Sequence, residues 1–396
     1  MKIHRTLAGE SADKIAEKYG ISEEFVRRLN DMDNLQPTEG EELLILTPTR
    51  TYTVKQGDTP ERIALRFGIR KKDIYMQNPW LCGATLTPGE KLALRYDDRV
   101  HGMSVANGYF YKGCSEERLR RVMPFLTYVT FASALANERG ISRTLDVNHA
   151  VKLVSEEKKI PLMRVHDSFP ERYKSDKDLT RFAEEMIELA QEGGYKGIVL
   201  DSCSLSDSAD EFSSFLMILR KMLIGCDLIL ITEINEESPI EFSEYADGSA
   251  LYYPKYAFEN PPSFEEGEKH LLADFACRGE SAKTFVDIPA LAARLGSYTT
   301  IDDALNTARR NKYCINNNEN TLLSHLRDRK QGEYKFASLS CVKAILDLIA
   351  EFDYMGICFD IMRTPLSHLM MYNAMFKTSY YTSVRSAEGC SRVGEE

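Results

Sequence analysis

A carboxylate and a thiol lie two residues apart near the middle of the chain, at Asp201 and Cys203. They follow a short apolar run, residues 197–200, which is typical of a buried parallel strand. Side chains alternate along a strand, so residues two apart point to the same face. A carboxylate there can orient a substrate or stabilise positive charge, and a thiolate can act as a nucleophile. Because no histidine lies near Cys203 in the sequence, a buried, unreactive thiol is its more common state.

Helices and strands alternate along most of the chain, and this order places Asp201 at a strand end. Strand-like runs lie at residues 105–111, 126–132, 161–165, 197–201, 227–232, 249–253, 284–288 and 356–360. Helical patterns lie at residues 115–123, 145–157, 178–192, 210–223, 339–352 and 366–376. This alternation predicts an α/β fold, a (β/α)8 TIM barrel. In such a barrel the carboxyl ends of the strands build the active site, so Asp201 is a candidate site residue.

Residues 196–203 also resemble the fourth-strand motif of glycoside hydrolase family 18, Asp-Gly-x-x-x-Asp-x-Glu. The glycine and the second aspartate match at Gly197 and Asp201. The likeness covers residues 105–376, with further matches at 107–109, 119–128 and 355–360. It implies that Asp201 has the role of the aspartate that orients the substrate's N-acetyl group. It also implies that Cys203 replaces the general-acid glutamate.

Three further positions differ from the pattern of that family. Tyr253 occupies the place of the strand-six tyrosine that holds the acetamido oxygen, but Pro254 replaces the aspartate that follows it. Leu291 replaces a sugar-contacting tyrosine on strand seven, and Asp360 replaces the tryptophan that forms the floor of the −1 subsite. The resemblance therefore implies a barrel that has kept its fold and lost part of its catalytic machinery.

Two functional interpretations follow for the barrel. Loss of a general acid alone costs about 10² to 10⁴ in rate, so we expect a non-catalytic barrel in which Asp201 is structural. The alternative is an active N-acetylglucosaminidase-type hydrolase of spore peptidoglycan with a non-standard acid. Four acidic residues are candidates for that role: Asp207, Glu211, Glu233 and Asp360.

The first 96 residues contain an internal repeat. Gly9, Glu10 and Ser11 recur 48 positions later as Gly57, Asp58 and Thr59, and Asn30 recurs as Asn78. Each copy has the order strand, helix, helix, strand, with a capping residue and Pro60 at the first helix of the second copy. This regular spacing predicts two small modules, at residues 1–48 and 49–96.

Both modules resemble the LysM module, a βααβ unit that binds N-acetylglucosamine-containing glycans such as peptidoglycan and chitin. The second copy is the closer match and the first is degenerate. The likeness implies a glycan groove between two loops of the second module. The residues at these loops are Gly57, Asp58, Thr59, Pro60, Asn78, Pro79, Trp80 and Leu81. Trp80, the single tryptophan, either stacks on a sugar ring or packs onto its own module.

The remaining segments complete the predicted organisation. Residues 97–104 read as a linker, 105–376 as the barrel, 289–337 as an inserted α+β lobe within it, and 377–396 as a flexible tail. LysM modules before a barrel of this kind are typical of spore-associated members of family 18. This resemblance implies a protein of the spore coat or cortex surface that binds glycan and has spore coat proteins as partners.

Composition restricts the class of function further. The net charge of −10 argues against nucleic acid and against anionic membranes as partners. The nine cysteines form no Cys-x-x-Cys pair, so we expect no metal site, no disulfide framework and no cofactor. The N-terminus has no apolar core, so we expect no signal peptide and synthesis in the cytoplasm.

Overall fold

The computed structural model describes residues 1–82, 84–96, 101–137, 140–167, 175–201, 209–236, 238, 241–252, 261–294, 297–328 and 332–378. Each N-terminal module is a two-stranded antiparallel sheet with two helices. The first consists of β1 (Lys2–Arg5), α1 (Ala12–Tyr19), α2 (Glu23–Leu29) and β2 (Glu42–Ile45). The second consists of β3 (Pro48–Thr53), α3 (Pro60–Phe67), α4 (Lys71–Gln77), a 3-10 turn (Pro79–Leu81) and β4 (Lys91–Tyr96).

The repeated asparagine explains why both copies close in the same way. The Asn30 amide donates hydrogen bonds to the carbonyls of Val26 and Leu44 at 2.8 and 3.0 Å, and its oxygen accepts from the Leu44 amide. In the second module Asn78 makes the same three bonds, to Ile74 and to both backbone groups of Ala93. Each asparagine therefore joins the last helix of its module to the return strand.

The eight parallel strands predicted from the sequence form a closed barrel, so the predicted fold class is confirmed. In spatial order the strands run β5–β6–β8–β9–β10–β11–β12–β18 and return to β5. Their bounds are β5 (Met103–Phe110), β6 (Tyr128–Asn137), β8 (Ile160–Asp167), β9 (Gly197–Asp201), β10 (Ile229–Ile234), β11 (Gly248–Leu251), β12 (Thr284–Asp287) and β18 (Gly356–Asp360). Gly356 permits the closure, because a Cβ there would lie 1.8 Å from the Val105 carbonyl oxygen.

Helices cover the outside of the barrel, and one additional strand forms a β-hairpin with β6. The helices are α5 (Glu116–Val122), α6 (Asn148–Glu156), α7 (Asp176–Glu192), α8 (Ala209–Gly225), α9 (Glu241–Glu244), α10 (His270–Cys277), α12 (Leu339–Glu351) and α13 (Leu366–Met375). Strand β7 (Gly140–Arg143) pairs antiparallel with β6. Nine buried residues fill the barrel interior: Tyr109, Tyr128, Leu162, Val199, Ile229, Ile231, Ala250, Phe285 and Cys358.

The predicted lobe interrupts the barrel between β12 and α12. It contains β13 (Leu291–Arg294), β14 (Ser297–Thr300), α11 (Ile301–Asn311), β15 (Ile315–Asn317), β16 (Leu323–Asp328) and β17 (Gly332–Ala337). The five strands form one antiparallel sheet in the order β14–β13–β17–β16–β15. Helix α11 packs onto this sheet through Ile301, Ala304 and Ala308.

The structure corrects two predicted boundaries. Strand β5 begins at Met103, so the end of the predicted linker is already part of the barrel. Residues Lys377–Thr378 form a short strand, β19, that pairs with Met103 and Ser104. The start of the predicted flexible tail is therefore hydrogen bonded to β5.

The first module is docked onto the lobe and the barrel through buried polar contacts. The Arg309 guanidinium donates to Glu41 Oε1 at 2.7 and 3.0 Å, and both side chains are almost fully buried. The same guanidinium donates to the carbonyls of Asn30 and Asp31 at 3.0 Å. Gly40 lies so close to the lobe that a Cβ would come within 1.8 Å of the Ile315 carbonyl oxygen.

Candidate functional site

The candidate site lies at the carboxyl ends of three neighbouring barrel strands. Asp201 ends β9 and has the same strand parity as Val199, which belongs to the barrel interior. Glu233 on β10 lies opposite Asp201 in the register of the two strands. Arg164 on β8 has the parity of Leu162, another interior residue. Strand alternation thus directs one arginine and two carboxylates into the same mouth.

Arg164 connects the two carboxylates. Its guanidinium donates to both oxygens of Glu233 at 2.6 Å, a bidentate pair, and to Asp201 Oδ2 at 2.7 Å. The exposed His166 ring places Nδ1 3.2 Å from the same Asp201 oxygen and 3.3 Å from Arg164. Asp201 is therefore held by two basic side chains of the neighbouring strand.

The barrel mouth is rich in acidic groups with raised pKa values. Burial raises the pKa of Glu233, and Arg164 offsets part of that rise. Burial raises the pKa of Asp287 well above its usual range, and repulsion from Asp360 and Glu233 adds to the rise. Burial also raises the pKa of Asp360. A neutral Asp287 can donate a hydrogen bond or a proton, which an ionised carboxylate cannot do.

Asp360 has a local structural role in addition to its place at the mouth. Its Oδ1 accepts from the backbone amides of Met362 and Arg363 at 2.8 and 3.0 Å. Its Oδ2 lies 3.4 Å from the Arg363 guanidinium. The residue that replaces the expected tryptophan therefore fixes the turn that follows β18.

Three tyrosines line the wall beside these charges. Tyr109 stacks on Tyr111 at a centroid distance of 6.0 Å and meets Tyr252 edge to face at 5.9 Å. The hydroxyls of Tyr109 and Tyr252 are buried, and the Tyr109 hydroxyl interacts with both Tyr252 and Glu233. Burial raises the pKa of both hydroxyls well above the usual value, so both remain neutral.

Several predicted site residues lie outside the described part of the chain. Cys203, Tyr253 and Asp207 are among them, and the side chain of Glu211 is likewise not described. In the described part, Tyr252 is the strand-six tyrosine that packs against the barrel interior, because it has the parity of Ala250. The predicted site residue Tyr253, one position later, lies outside the described residues.

In the second module the predicted glycan residues range from buried to exposed. Asn78, Pro79 and Leu81 are buried, and the Asn78 amide is fully used in the bonds to Ile74 and Ala93 described above. Their side chains are therefore part of the packing of the module. The turn Pro79–Leu81 belongs to one of the two loops that the LysM resemblance assigns to the glycan groove.

The first wall of that groove is a tight turn with internal hydrogen bonds. Gly57 has a φ of +79°, a conformation that favours glycine. Asp58 Oδ2 accepts from the Tyr52 hydroxyl at 2.6 Å and from the Lys55 amide at 2.8 Å, and the Tyr52 bond lowers the pKa of Asp58 most. Thr59 caps α3, with Pro60 at its first position. Asp58 and Thr59 thus fix the shape of the turn.

Trp80 packs at the boundary between the two modules. Its ring centroid lies 6.4 Å from that of Phe25, and the Arg28 guanidinium lies 5.7 Å from the ring. The half-buried ring also borders the core of its own module. Neither arrangement of Trp80 predicted from the sequence included contacts with Phe25 and Arg28, because these residues belong to the first module.

Arg164, His166 and Tyr252 are site residues that sequence reasoning missed. A signal existed for Arg164, since a charged residue interrupts the apolar run 161–165 at an inward position. Within the described residues, no group of three or more acidic, histidine or cysteine side chains is arranged to hold a metal ion. None of the helices that the structure describes combines the length and the apolar character of a membrane-spanning helix.

Comparison with known proteins agrees with this architecture. The family model "LysM domain" matches residues 4–45 and 52–95. YdhD of Bacillus subtilis (strain 168), an inferred sporulation-specific glycosylase, is 23% identical over 238 residues. That match spans 56% of this chain and 56% of the length of YdhD.

Solved structures show the same fold over longer stretches. The spore cortex-lytic enzyme SleL of Bacillus megaterium QM B1551 is 17% identical, with a TM-score of 0.71, over 96% of this chain and 99% of SleL. SleL of Bacillus cereus has a TM-score of 0.72 at 14% identity, with the same coverage. A GH18 chitinase of Cycas revoluta matches 68% of this chain and 98% of its own, with a TM-score of 0.57 at 12% identity. The chain thus carries two LysM domains followed by a TIM barrel with the fold of the spore cortex-lytic enzyme SleL and of GH18 chitinases.

Proposed function

We propose that this protein binds N-acetylglucosamine-containing glycans of the peptidoglycan or chitin type at the coat or cortex of a bacterial spore. The match of both repeats to the LysM domain supports the glycan class. The similarity to SleL and to YdhD supports the spore location, and spore coat proteins are the protein partners that such a location supplies. The barrel is a non-hydrolysing part of the protein.

The contacts of Asp201 are the observation that carries the non-hydrolysing assignment. In family 18 chemistry the substrate's own acetamido group is the nucleophile, and an aspartate must orient it. Here Asp201 Oδ2 is already bound by Arg164 and lies beside His166. Cys203, in the position of the acid, is a weaker and shorter proton donor than a glutamate. Both halves of the catalytic pair are therefore compromised.

The second module supplies most of the glycan affinity in this proposal. In the first module the loop after α2 is occupied by the rest of the protein. Asp31 accepts from Arg121 at 3.0 Å and from the Leu366 amide at 3.0 Å, while Arg309 binds the Asp31 carbonyl. In the corresponding turn Pro79–Leu81 of the second module, Trp80 lines a cleft that it shares with residues 31–34 of the first module.

A matched pair of variants tests which module binds. Thr59 and Ser11 occupy equivalent positions at the first helix of each repeat. Thr59→Trp places a bulky ring beside the proposed groove, and we expect at least tenfold weaker retention of the full chain on chitin and peptidoglycan. Ser11→Trp should leave retention unchanged. Equal losses in both variants, with thermal unfolding unchanged, would contradict the assignment to the second module.

Hydrolysis is tested on N-acetylglucosamine oligomers and purified cortex fragments by release of reducing ends. We expect no turnover by the wild type, and at most weak turnover by Cys203→Glu, since Leu291 and Asp360 still differ from the family pattern. Robust turnover by the wild type that Asp201→Asn abolishes would refute the non-catalytic assignment.

A second candidate function is hydrolysis with a non-standard acid, and Asp287 favours it. Burial raises the pKa of Asp287 well above its usual range, which favours the protonated carboxyl that a general acid needs. If the wild type does release reducing ends, Asp287→Asn distinguishes the two proposals. Loss of that activity in Asp287→Asn assigns the acid to Asp287, while retained activity excludes Asp287 from that role.

A further inference from the structure

A cleft of about 570 Å³ separates the second module from the barrel. Helix α4 of the module forms one wall with Lys71, Lys72 and Tyr75. The end of α5 and the segment after α6 form the other, with Arg120, Lys158 and Lys159 among the lining residues. The cleft therefore exists only where the module and the barrel meet.

The charge of this cleft is opposite to that of the whole protein. Five cationic side chains line it against one carboxylate, Glu157, in a chain of net charge −10. Lys71 is paired with Glu61 outside the cleft, at 2.5 Å. Like charges held together raise the electrostatic energy of the protein, and an anion in the cleft lowers it.

Burial of Lys159 and partial burial of Lys72 increase the stabilisation that a bound anion would give. Burial lowers the pKa of Lys159 to about 8, and the charge of Lys72 lowers it further. Burial and the nearby Arg70 lower the pKa of Lys72. A bound carboxylate would favour the charged form of both side chains.

The position of the cleft indicates where such an anion comes from. Cys82 directly follows the turn Pro79–Leu81, one wall of the proposed glycan groove, and it lines this cleft as well as the cleft that contains Trp80. A glycan strand held at that turn therefore brings its substituents towards the lysines. The Tyr75 ring adds an apolar wall, which suits a peptide more than a bare inorganic ion.

We propose that this cleft binds the carboxylates of peptidoglycan, on the stem peptides or lactyl groups that its glycan strand carries. The inference rests on the proposed glycan binding by the second module. The cleft would let the protein distinguish peptidoglycan from chitin. The module alone does not supply this distinction, because chitin has the same sugar backbone without carboxylates. The protein would then prefer peptidoglycan to chitin at low ionic strength.

The test compares three insoluble polymers: teichoic-acid-free peptidoglycan, the same material with its carboxylates amidated, and chitin. Full-length wild type is compared with Lys72→Gln/Lys158→Gln. The control is Lys91→Gln/Lys152→Gln, two exposed lysines that do not line the cleft and that change the net charge equally.

We expect the cleft variant to bind native peptidoglycan about three- to tenfold more weakly, the effect of two partly screened ion pairs. Its binding to amidated peptidoglycan and to chitin should match the wild type, and added salt should remove the difference. The control variant should behave as wild type on all three polymers. Equal binding of wild type to native and amidated peptidoglycan would overturn the inference while leaving glycan binding intact. Failure of the wild type to bind any of the polymers would overturn the proposed function and this inference together.

Discussion

Replacing Arg309 with methionine tests whether the first module is a fixed part of the protein. Methionine keeps the length and the apolar part of the side chain but removes the guanidinium. Glu41, which is fully buried, would then lose the cation that binds its Oε1. The carbonyls of Asn30 and Asp31 would each lose a donor.

The contacts of Arg309 allow an estimate of the stability that the Arg309→Met variant loses. Removing one partner of a buried ion pair leaves an uncompensated charge and costs about 3–5 kcal/mol. We therefore expect Arg309→Met to lower the free energy of unfolding of the first module by about that amount. The Glu41→Gln/Arg309→Met double variant should recover part of the loss, because the remaining buried group is then neutral.

Hydrogen exchange followed by mass spectrometry measures this effect module by module, which avoids treating the chain as a single two-state unit. Protection should fall across residues 1–48 and at the facing residues of the lobe, while the second module keeps its protection. Arg310→Met, at the exposed neighbouring position on α11, is the control and should change nothing. A loss below about 1 kcal/mol, or no recovery in the double variant, would refute the reasoning from a buried pair.

Much of the fold follows from local patterns in the sequence. All eight barrel strands lie within a few residues of the apolar runs that predict them, because parallel strands buried on both faces must be apolar. The two modules follow from the repeat, and Asn30 and Asn78 recur because each closes its own module. The docking of the first module leaves no such pattern. Glu41 and Arg309 are 268 positions apart, and each alone resembles a solvated surface residue.

The candidate site is predictable only in part for the same reason. Strand periodicity places Asp201 at the mouth, but its partner Arg164 comes from another strand whose register the sequence does not state. The predicted site residue Tyr253 lies outside the described residues, and a shift of one position moves a side chain to the opposite face of a strand. The structure places its neighbour Tyr252 beside Tyr109. Residue identities thus predict a degenerate site, and the structure adds the hydrogen bond from Arg164 to Asp201.

Two further variants follow from buried polar groups. Asn78→Ala should destabilise the second module by about 2–4 kcal/mol in thermal unfolding, since both backbone groups of Ala93 lose their partner. An effect below about 1 kcal/mol would show that water replaces the amide. The second variant, at Asp302, tests how stability depends on pH. Burial raises the pKa of Asp302 to about 7, and repulsion from Asp31 adds to the rise. The folded state therefore binds the proton more tightly than the unfolded state, so this group stabilises the fold fully at acidic pH. That contribution is lost as the pH rises from about 4 towards 7, with a slope of at most about 1.4 kcal/mol per pH unit. Asp302→Asn should flatten this dependence in denaturant titrations at several pH values, whereas the exposed Asp303→Asn should retain it. A wild-type stability that rises over this range, with the same slope in Asp302→Asn, would contradict a buried neutral carboxyl at the junction of module and lobe.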